Sequence, residues 1–438
     1  MEDVKIALIG NVDSAKSTTI GSLIRDKLDD GRGSNREFVM NYPHETETGQ
    51  TSSIGYQILG FRADGSCITI DTKNKKDSWP AVMKECKKLV TFCDLAGHEK
   101  YLKTTVYGMS SNRPDYAILM VEGRGAKGMT REHIMLCLSF NIPFIVVITK
   151  IDLYNKEMVQ TTIRQVEKLI KNTKHTSWII QDEKDFDMFF KQPSYDTGQN
   201  LKGSIVPIFC LSNVTGEGLD VFRTFLYKLP KRIDYTKYIN NPFELAVLDG
   251  YKVPGIGTVA HGFLVRGTVK TGDVVWVGPT SVGQYLKSKI RSIHYKRVPV
   301  EMQVCGHHIC VALSNIDRNM LRKGVYVLHE KIKEKPAVKT FTADIKVLMG
   351  HSTTIRKGYC PVLNIDNIRM TAQIKKIEDK EYLRSKDSAR VQLKLLHRPA
   401  YLRLDECFVF RERNIRGFGK VLSIDFEIKE KKETKTKK

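Results

Sequence analysis

The sequence predicts an α/β domain with a mostly parallel sheet and helices on both faces, followed by two antiparallel β-barrels. Three observations carry that expectation. Buried apolar runs alternate with helical patterns across the first 232 residues, which is how a parallel sheet reads. The first run, Ile6-Ala7-Leu8-Ile9, feeds a glycine-led loop and then a helix. Beyond about residue 242, short glycine-punctuated strands replace the helices. The expected boundaries are 1–232 for the α/β domain, 242–335 and 336–427 for the barrels, and 428–438 for a disordered basic tail.

The loop is Gly10-Asn11-Val12-Asp13-Ser14-Ala15-Lys16-Ser17-Thr18. Strand, tight loop and helix form a phosphate cradle: backbone N–H groups and the helix dipole wrap a polyphosphate. Lys16 would reach the terminal phosphates and Ser17 would ligate Mg²⁺. The pattern G-x-x-x-x-G-K-[ST] has a second glycine where Ala15 stands, at a point of close backbone approach. The following helix is expected to bury Ile20, Leu23, Ile24 and Leu28 on one face.

Four further stretches follow in order. Tyr42 to Ser53 is a polar loop in which Thr51 would supply a second Mg²⁺ ligand when a third phosphate is present; an ordinary Ser/Thr-rich loop is the alternative. A buried strand ends in Asp94-Leu95-Ala96-Gly97-His98. Asp94 would hold Mg²⁺ through water, Gly97 N–H would bond the terminal phosphate, and His98 would orient an attacking water. The strand Phe144–Ile148 runs into Thr149-Lys150-Ile151-Asp152, where Asp152 would accept two N–H groups of guanine and Lys150 would stack on the base. Ile205–Leu211 runs into Ser212-Asn213-Val214, whose backbone would meet the base oxygen. The segment 171–202 is polar and mixed and reads as an insertion without chemistry. All these motifs lie at carboxyl ends of predicted strands, where open parallel sheets bind ligands.

Asp94 to Thr105 resembles the second switch of translational GTPases, the elongation factor Tu/1A superfamily. Gly49–Gly55, Asp94–Met109, Thr149–Asp152 and Leu211–Glu217 look most like the GTP-binding protein 1/2 group, which also has Thr at position 149 and Asn213-Val214 after Ser212. Arg266-Gly267-Thr268-Val269-Lys270-Thr271-Gly272-Asp273 resembles the superfamily's second domain. The resemblance implies a GTPase domain that binds GTP and GDP with Mg²⁺, with hydrolysis slow until a partner engages, and an exchange factor. Ala15 and Gln50 depart from the group's pattern, and both weigh against tight binding and fast hydrolysis.

Composition bounds the partners. Net charge is +22, unevenly placed: residues 1–240 hold 33 Lys and Arg against 29 Asp and Glu, and residues 241–438 hold 38 against 20. A surplus confined to one half points to a polyanion held there, most plausibly RNA in the form of tRNA or ribosome; a lysine-rich surface kept for solubility is the alternative. The tail from Lys429 to Lys438 adds six lysines against two glutamates. Nine scattered cysteines without a Cys-x-x-Cys pair suit a reducing compartment. With no signal peptide or membrane-length apolar run, the expectation is a cytoplasmic monomer. Cys305-Gly306-His307-His308-Ile309-Cys310 offers metal-ligand types, but strand alternation would split them between faces. The leading functional expectation is a translation-factor-like GTPase acting on tRNA, ribosomes or RNA quality control. The alternative is a nucleotide-weak RNA- or ribosome-binding protein that retains the scaffold. A metabolic P-loop kinase fits neither the barrels nor Asp152.

Overall fold

A computed structural model describes residues 2–40, 42–191, 204–332, 337–348, 354–412 and 414–425. The expected tail, 428–438, lies outside them, as does 192–202. The first part is an eight-stranded sheet. In chain order its strands are β1 (Glu2–Gly10), β2 (Gly55–Phe61), β3 (Cys67–Ile68), β4 (Lys88–Asp94), β5 (Tyr116–Glu122), β6 (Phe144–Thr149), β7 (Thr176–Ile179) and β8 (Ile205–Leu211). Their spatial order is β3-β2-β4-β1-β5-β6-β8-β7. Only β2 and β3 run antiparallel to their neighbours.

Strand alternation builds a core on each face. Ile6 and Leu8 of β1 point into one core, with Ile20, Leu23 and Ile24 of α1 (Lys16–Arg25) and with Phe222 and Phe225. Ala7 and Ile9 point into the other, with Val106, Ile134 and Ile163. Two expectations need correction. Leu28 is 54 % exposed, because Asp26 turns left-handed and ends α1 first. The segment 171–202 is not wholly an insertion: Thr176–Ile179 pairs in parallel with β8 as the edge strand, and Phe186 and Phe189 fill the core. A four-residue strand with Thr176 and Trp178 exposed carries little period-2 signal.

Two barrels follow. In the first, β9 (Glu244–Val253), β10 (Gly257–Arg266), β11 (Val274–Gly278), β12 (Leu286–Tyr295), β13 (His307–Leu313) and β14 (Tyr326–His329) run in the order β11-β14-β9-β10-β13-β12, and β11 pairs β12 to close the ring. The second holds β15 (Thr340–Val347), β16 (Val362–Ile365), β17 (Ile368–Ile377), β18 (Ser388–Leu395), β19 (Cys407–Arg411) and β20 (Ile415–Asp425) in a closed ring of order β15-β18-β17-β16-β19-β20. In the first barrel, His307 rests against Tyr295 and His308 against His261 and Tyr56, so alternation does divide them, and no metal-holding cluster occurs among the described residues.

The seam between the sheet domain and the first barrel is charged and dry. Asp3 is fully buried, 3.6 Å from Lys296 Nζ, and accepts from Tyr295 Oη at 3.0 Å. Lys296 donates to Thr91 Oγ1 at 2.6 Å, and Lys5 donates to the Gly306 carbonyl at 2.9 Å. Burial raises the Asp3 pKa, but Lys296, His307 and Lys5 outweigh it and hold the carboxyl well below the usual range. All three domains meet where Arg403 pairs with Glu244 at 2.8 Å, Asp366 at 2.6 Å and Glu406, and where Arg113 reaches Asp366 at 2.9 Å.

Candidate functional site

The loop after β1 turns sharply because Gly10 lies at φ +149°, where a Cβ would meet the Met120 carbonyl at 2.4 Å. The hydroxyl of Ser14 donates to the Asn11 carbonyl at 2.8 Å, and Asn11 Nδ2 donates to Thr130 Oγ1 at 3.1 Å, which ties the loop to the helix Gly128–Ser139. Thr149 Oγ1 sits 3.3 Å from the carbonyls of Ser14 and Val121. The threonine therefore fastens the end of β6 to the loop. Ala15 caps α1 at φ 58°, ψ 25°. Left-handed backbone costs a non-glycine residue about 1 kcal/mol, so the alanine carries a conformational penalty of its own before any phosphate is considered.

Lys16 is buried and folds back to donate to the carbonyls of Asn11 at 2.7 Å and Gly10 at 3.2 Å. Burial lowers its pKa to about 8, against the opposing pull of Asp94 and Asp13. Beside it, three side chains far apart in sequence converge. Ser17 Oγ donates to Asp94 Oδ2 at 2.6 Å and lies 3.1 Å from Thr51 Oγ1. Burial pushes the Asp94 carboxyl up, against Lys16 and Ser17. The other oxygen, Asp94 Oδ1, is buried with no hydrogen-bond partner among the described residues. Two hydroxyls and a carboxylate with one orphaned buried oxygen suit a hard, oxygen-seeking cation such as Mg²⁺.

Gly97 presses against the loop: a Cβ there would lie 2.5 Å from both the Gly10 carbonyl and Lys16 Nζ. Only glycine permits that approach. The next residue, His98, is exposed, and its Nδ1 accepts the Lys100 N–H at 3.0 Å, which leaves Nε2 for other partners. Val12 to Thr18, Arg36, Gly49, Gln50, Thr51, Gly97, His98 and Lys150 line one cleft of about 90 Å³. A lining of loop backbone at a helix N-terminus with Lys16, Arg36 and Lys150 suits the phosphate end of a nucleotide.

The rest of the expected site flanks this cleft. Lys150 bonds Glu122 Oε1 at 3.1 Å, and that carboxylate also takes Arg124, Lys127 and Tyr154. Asp152 is exposed on the single turn Ile151–Leu153, with no hydrogen bond or ion pair among the described residues. Ser212 Oγ accepts the N–H groups of Val214 at 3.1 Å and Thr215 at 3.0 Å. Asn213 Nδ2 donates to Thr19 Oγ1 at 2.9 Å, which joins this second loop to α1.

Three contributors escape sequence reading. The polar stretch before Thr51 is not all loop: Pro43–Thr48 is helical, and buried Glu45 accepts from the N–H and hydroxyl groups of both Ser52 and Ser53 at 2.8–3.0 Å. Glu122 gathers Arg124, Lys127 and Lys150 beside the cleft. Arg36 comes from the helix Ser34–Val39. No motif spacing flags any of them.

The family model described as the elongation factor Tu GTP binding domain matches residues 1–237, and that of elongation factor Tu domain 2 matches 257–327. The chain is 37 % identical to GTP-binding protein 1 of Xenopus laevis, over 96 % of this chain and 63 % of that protein. It is 36 % identical to human GTP-binding protein 2, over 96 % and 69 %. It thus spans about two thirds of the length of these curated relatives. Elongation factor 1-alpha of Pyrococcus horikoshii is 27 % identical over 89 % of both chains. Among solved structures, bacterial selenocysteine-specific elongation factor EF-Sec superposes with a TM-score of 0.69 at 22 % identity, over 98 % of this chain and 60 % of the other. Elongation factor SelB from Methanococcus maripaludis, in complex with the GTP analogue GppNHp, gives 0.67 at 19 % identity, over 98 % and 80 %.

Proposed function

Since the chain belongs to the elongation factor Tu family of translational GTPases, with relatives in the GTP-binding protein 1/2 group, we propose that it binds GTP in the Lys16 cleft and hydrolyses it to GDP and phosphate. The observation that carries this reading is the meeting of Ser17, Thr51 and Asp94 within 3.1 Å beside Lys16. Ser17 and Thr51 would hold Mg²⁺ directly and Asp94 through water; the ion supplies charge neutralisation across the phosphates. Lys16 leaves the loop carbonyls for phosphate oxygens. Gly97 N–H and the loop amides hold the terminal phosphate, and His98 Nε2 orients the water. Water oxygen bonds to phosphorus, the bond to the bridging oxygen breaks with its electron pair leaving on GDP, and the proton ends on inorganic phosphate. Asp152 and Lys150 select guanine, and Ser212-Asn213-Val214 closes over the base.

The finer reading is action on tRNA, ribosomes or RNA quality control through the second half. The charge surplus beyond residue 240 supports it. So does a patch on the second barrel, where exposed Tyr382 is flanked by Arg356 and Arg384, their guanidiniums 5.8 and 5.0 Å from its ring, a cationic and stackable surface. One observation favours the nucleotide-weak alternative: the left-handed Ala15. Affinities for GTP, GDP and ATP, with phosphate release measured in the presence and absence of ribosomes, test the whole reading. Equal affinity for ATP and GTP overturns guanine selection. Ribosome binding indifferent to salt, or unchanged in Arg356→Glu/Arg384→Glu, overturns the RNA assignment.

A further inference from the structure

Arg36 reaches the phosphate cleft from outside every motif. It comes from the six-residue helix Ser34–Val39, upstream of Thr51, and its side chain lines the cleft together with Gly49, Gln50 and Thr51. Two glycines make room for it. A Cβ at Gly33 would lie 3.0 Å from an Arg36 guanidinium nitrogen, and one at Gly49 would lie 3.1 Å from the guanidinium carbon. Both glycines sit at positive φ, +98° and +65°, so the chain bends around this group on either side. Unlike the other cations here, Arg36 is uncommitted. Lys16 is held by loop carbonyls and Lys150 by Glu122. The Arg36 side chain makes no hydrogen bond or ion pair among the described residues, and its Nε is buried without a partner. The other charged or titratable groups lining the cleft are Asp13, Lys16, His98 and Lys150. None of them answers the guanidinium. A half-buried, forked cation in a phosphate cleft, unpaired among the described residues, lacks only an anion.

We propose that Arg36 is an arginine supplied from within the chain to the terminal phosphate of GTP, where it stabilises the charge that builds on the transferred phosphoryl group. The inference rests on the Lys16 cleft being the GTP site. It adds to the cleft a cation that comes from the segment leading to Thr51 and not from the loop. A contact made in the transition state spares GDP affinity and lowers turnover. Arginines in this role contribute on the order of 10³–10⁵ in rate. Lysine, a point charge on a flexible stem, does not reproduce a bidentate contact.

The test uses the full chain, Arg36→Ala and Arg36→Lys, with three readouts: GDP affinity, single-turnover GTP hydrolysis, and affinity for GDP with aluminium fluoride and Mg²⁺. The expected result in both variants is GDP affinity within twofold of the parent, turnover down by about 10³-fold, and the aluminium fluoride complex lost. The last readout stands even where intrinsic turnover is slow. Unchanged aluminium fluoride binding in Arg36→Ala overturns the proposal. A parallel loss of GDP binding overturns it too, since it marks a structural role for the side chain, and so does full rescue by lysine. Absence of GTP and GDP binding in the parent is a different failure: it removes the nucleotide site itself and this inference with it.

Discussion

The two ends of the cleft are built differently. At the phosphate end, Lys16, Ser17 and Asp94 are each less than 8 % exposed and bonded to one another or to the loop. At the end expected to meet the base, Asp152 is exposed with no side-chain partner among the described residues, and Val214 is 41 % exposed. The sheet fixes the first end, since β1 and β4 are adjacent parallel strands that bring Asp94 to the loop. The second end is carried on loops, tied by Thr149 to the loop after β1, by Lys150 to Glu122 and by Asn213 to α1. A preorganised, dry end supplies affinity for any nucleotide, and an open end supplies the choice among bases.

The largest expected effect tests the dry end. Lys16→Ala should weaken GTP and GDP alike by about 10²–10³-fold in calorimetric titration, the cost of removing one partner from a desolvated charge contact. A loss below tenfold would mean the loop amides alone carry the phosphates. His98→Ala comes next. Turnover with a ribosomal partner should fall about 10²-fold while GTP affinity stays near the parent value, because the histidine acts on water rather than on bound nucleotide. Unchanged stimulated turnover removes it from the mechanism. At the open end, Asp152→Asn should lower GTP affinity by about tenfold or more and raise that for xanthosine triphosphate. A loss shared equally by every base would show that Asp152 shapes the loop and does not read the ring.

Two smaller effects sharpen the contrast. Ala15→Gly removes a methyl from a point of close backbone approach to phosphate, so nucleotide binding should tighten severalfold, while the left-handed strain of about 1 kcal/mol already present in the free loop should appear as added folding stability. No change in affinity would show that the loop already accommodates the methyl. Behind the dry end, His133 is buried with both ring nitrogens unpartnered, and burial, aided by Lys16, lowers its pKa from 6.5 to about 3. Between those values the unfolded chain takes up a proton that the folded chain refuses, so stability rises with pH across the window and falls on acidification. From pH 7 to pH 6 the loss attributable to this group should be about 0.7 kcal/mol, seen as a lower urea midpoint that His133→Gln flattens. An identical pH slope in that variant would assign acid sensitivity elsewhere, with the seam histidines His261, His307 and His308 next in line.

The sequence makes the strand–loop–helix at Lys16, the turn at Asp94 and the strand entering Thr149 legible because each pairs an apolar run with polar residues at fixed spacing. The barrels are legible through glycine-spaced alternation. What stays hidden depends on long-range placement. Glu45 is one acid in a polar stretch until its carboxylate collects Ser52 and Ser53. Arg36 is one surface-type arginine until two glycines open beside it. Thr149, one polar residue at a strand end when read in the sequence, proves to be a fastening between β6 and the loop after β1. The end of α1 before Leu28 is set by one left-handed residue, Asp26, which no periodicity announces.

The seam around Asp3 constrains how the first barrel can move. Its carboxylate, Lys296, Tyr295 and Thr91 satisfy one another only in register. Sliding the barrel by a few ångströms would leave Asp3 or Lys5 dry and unmatched, at about 3–5 kcal/mol for each broken pair. A half-displaced barrel is therefore the most costly arrangement, worse than either full contact or full separation with both sides hydrated. Such a joint works as a latch: probes across it would report two discrete distances, with no population between them.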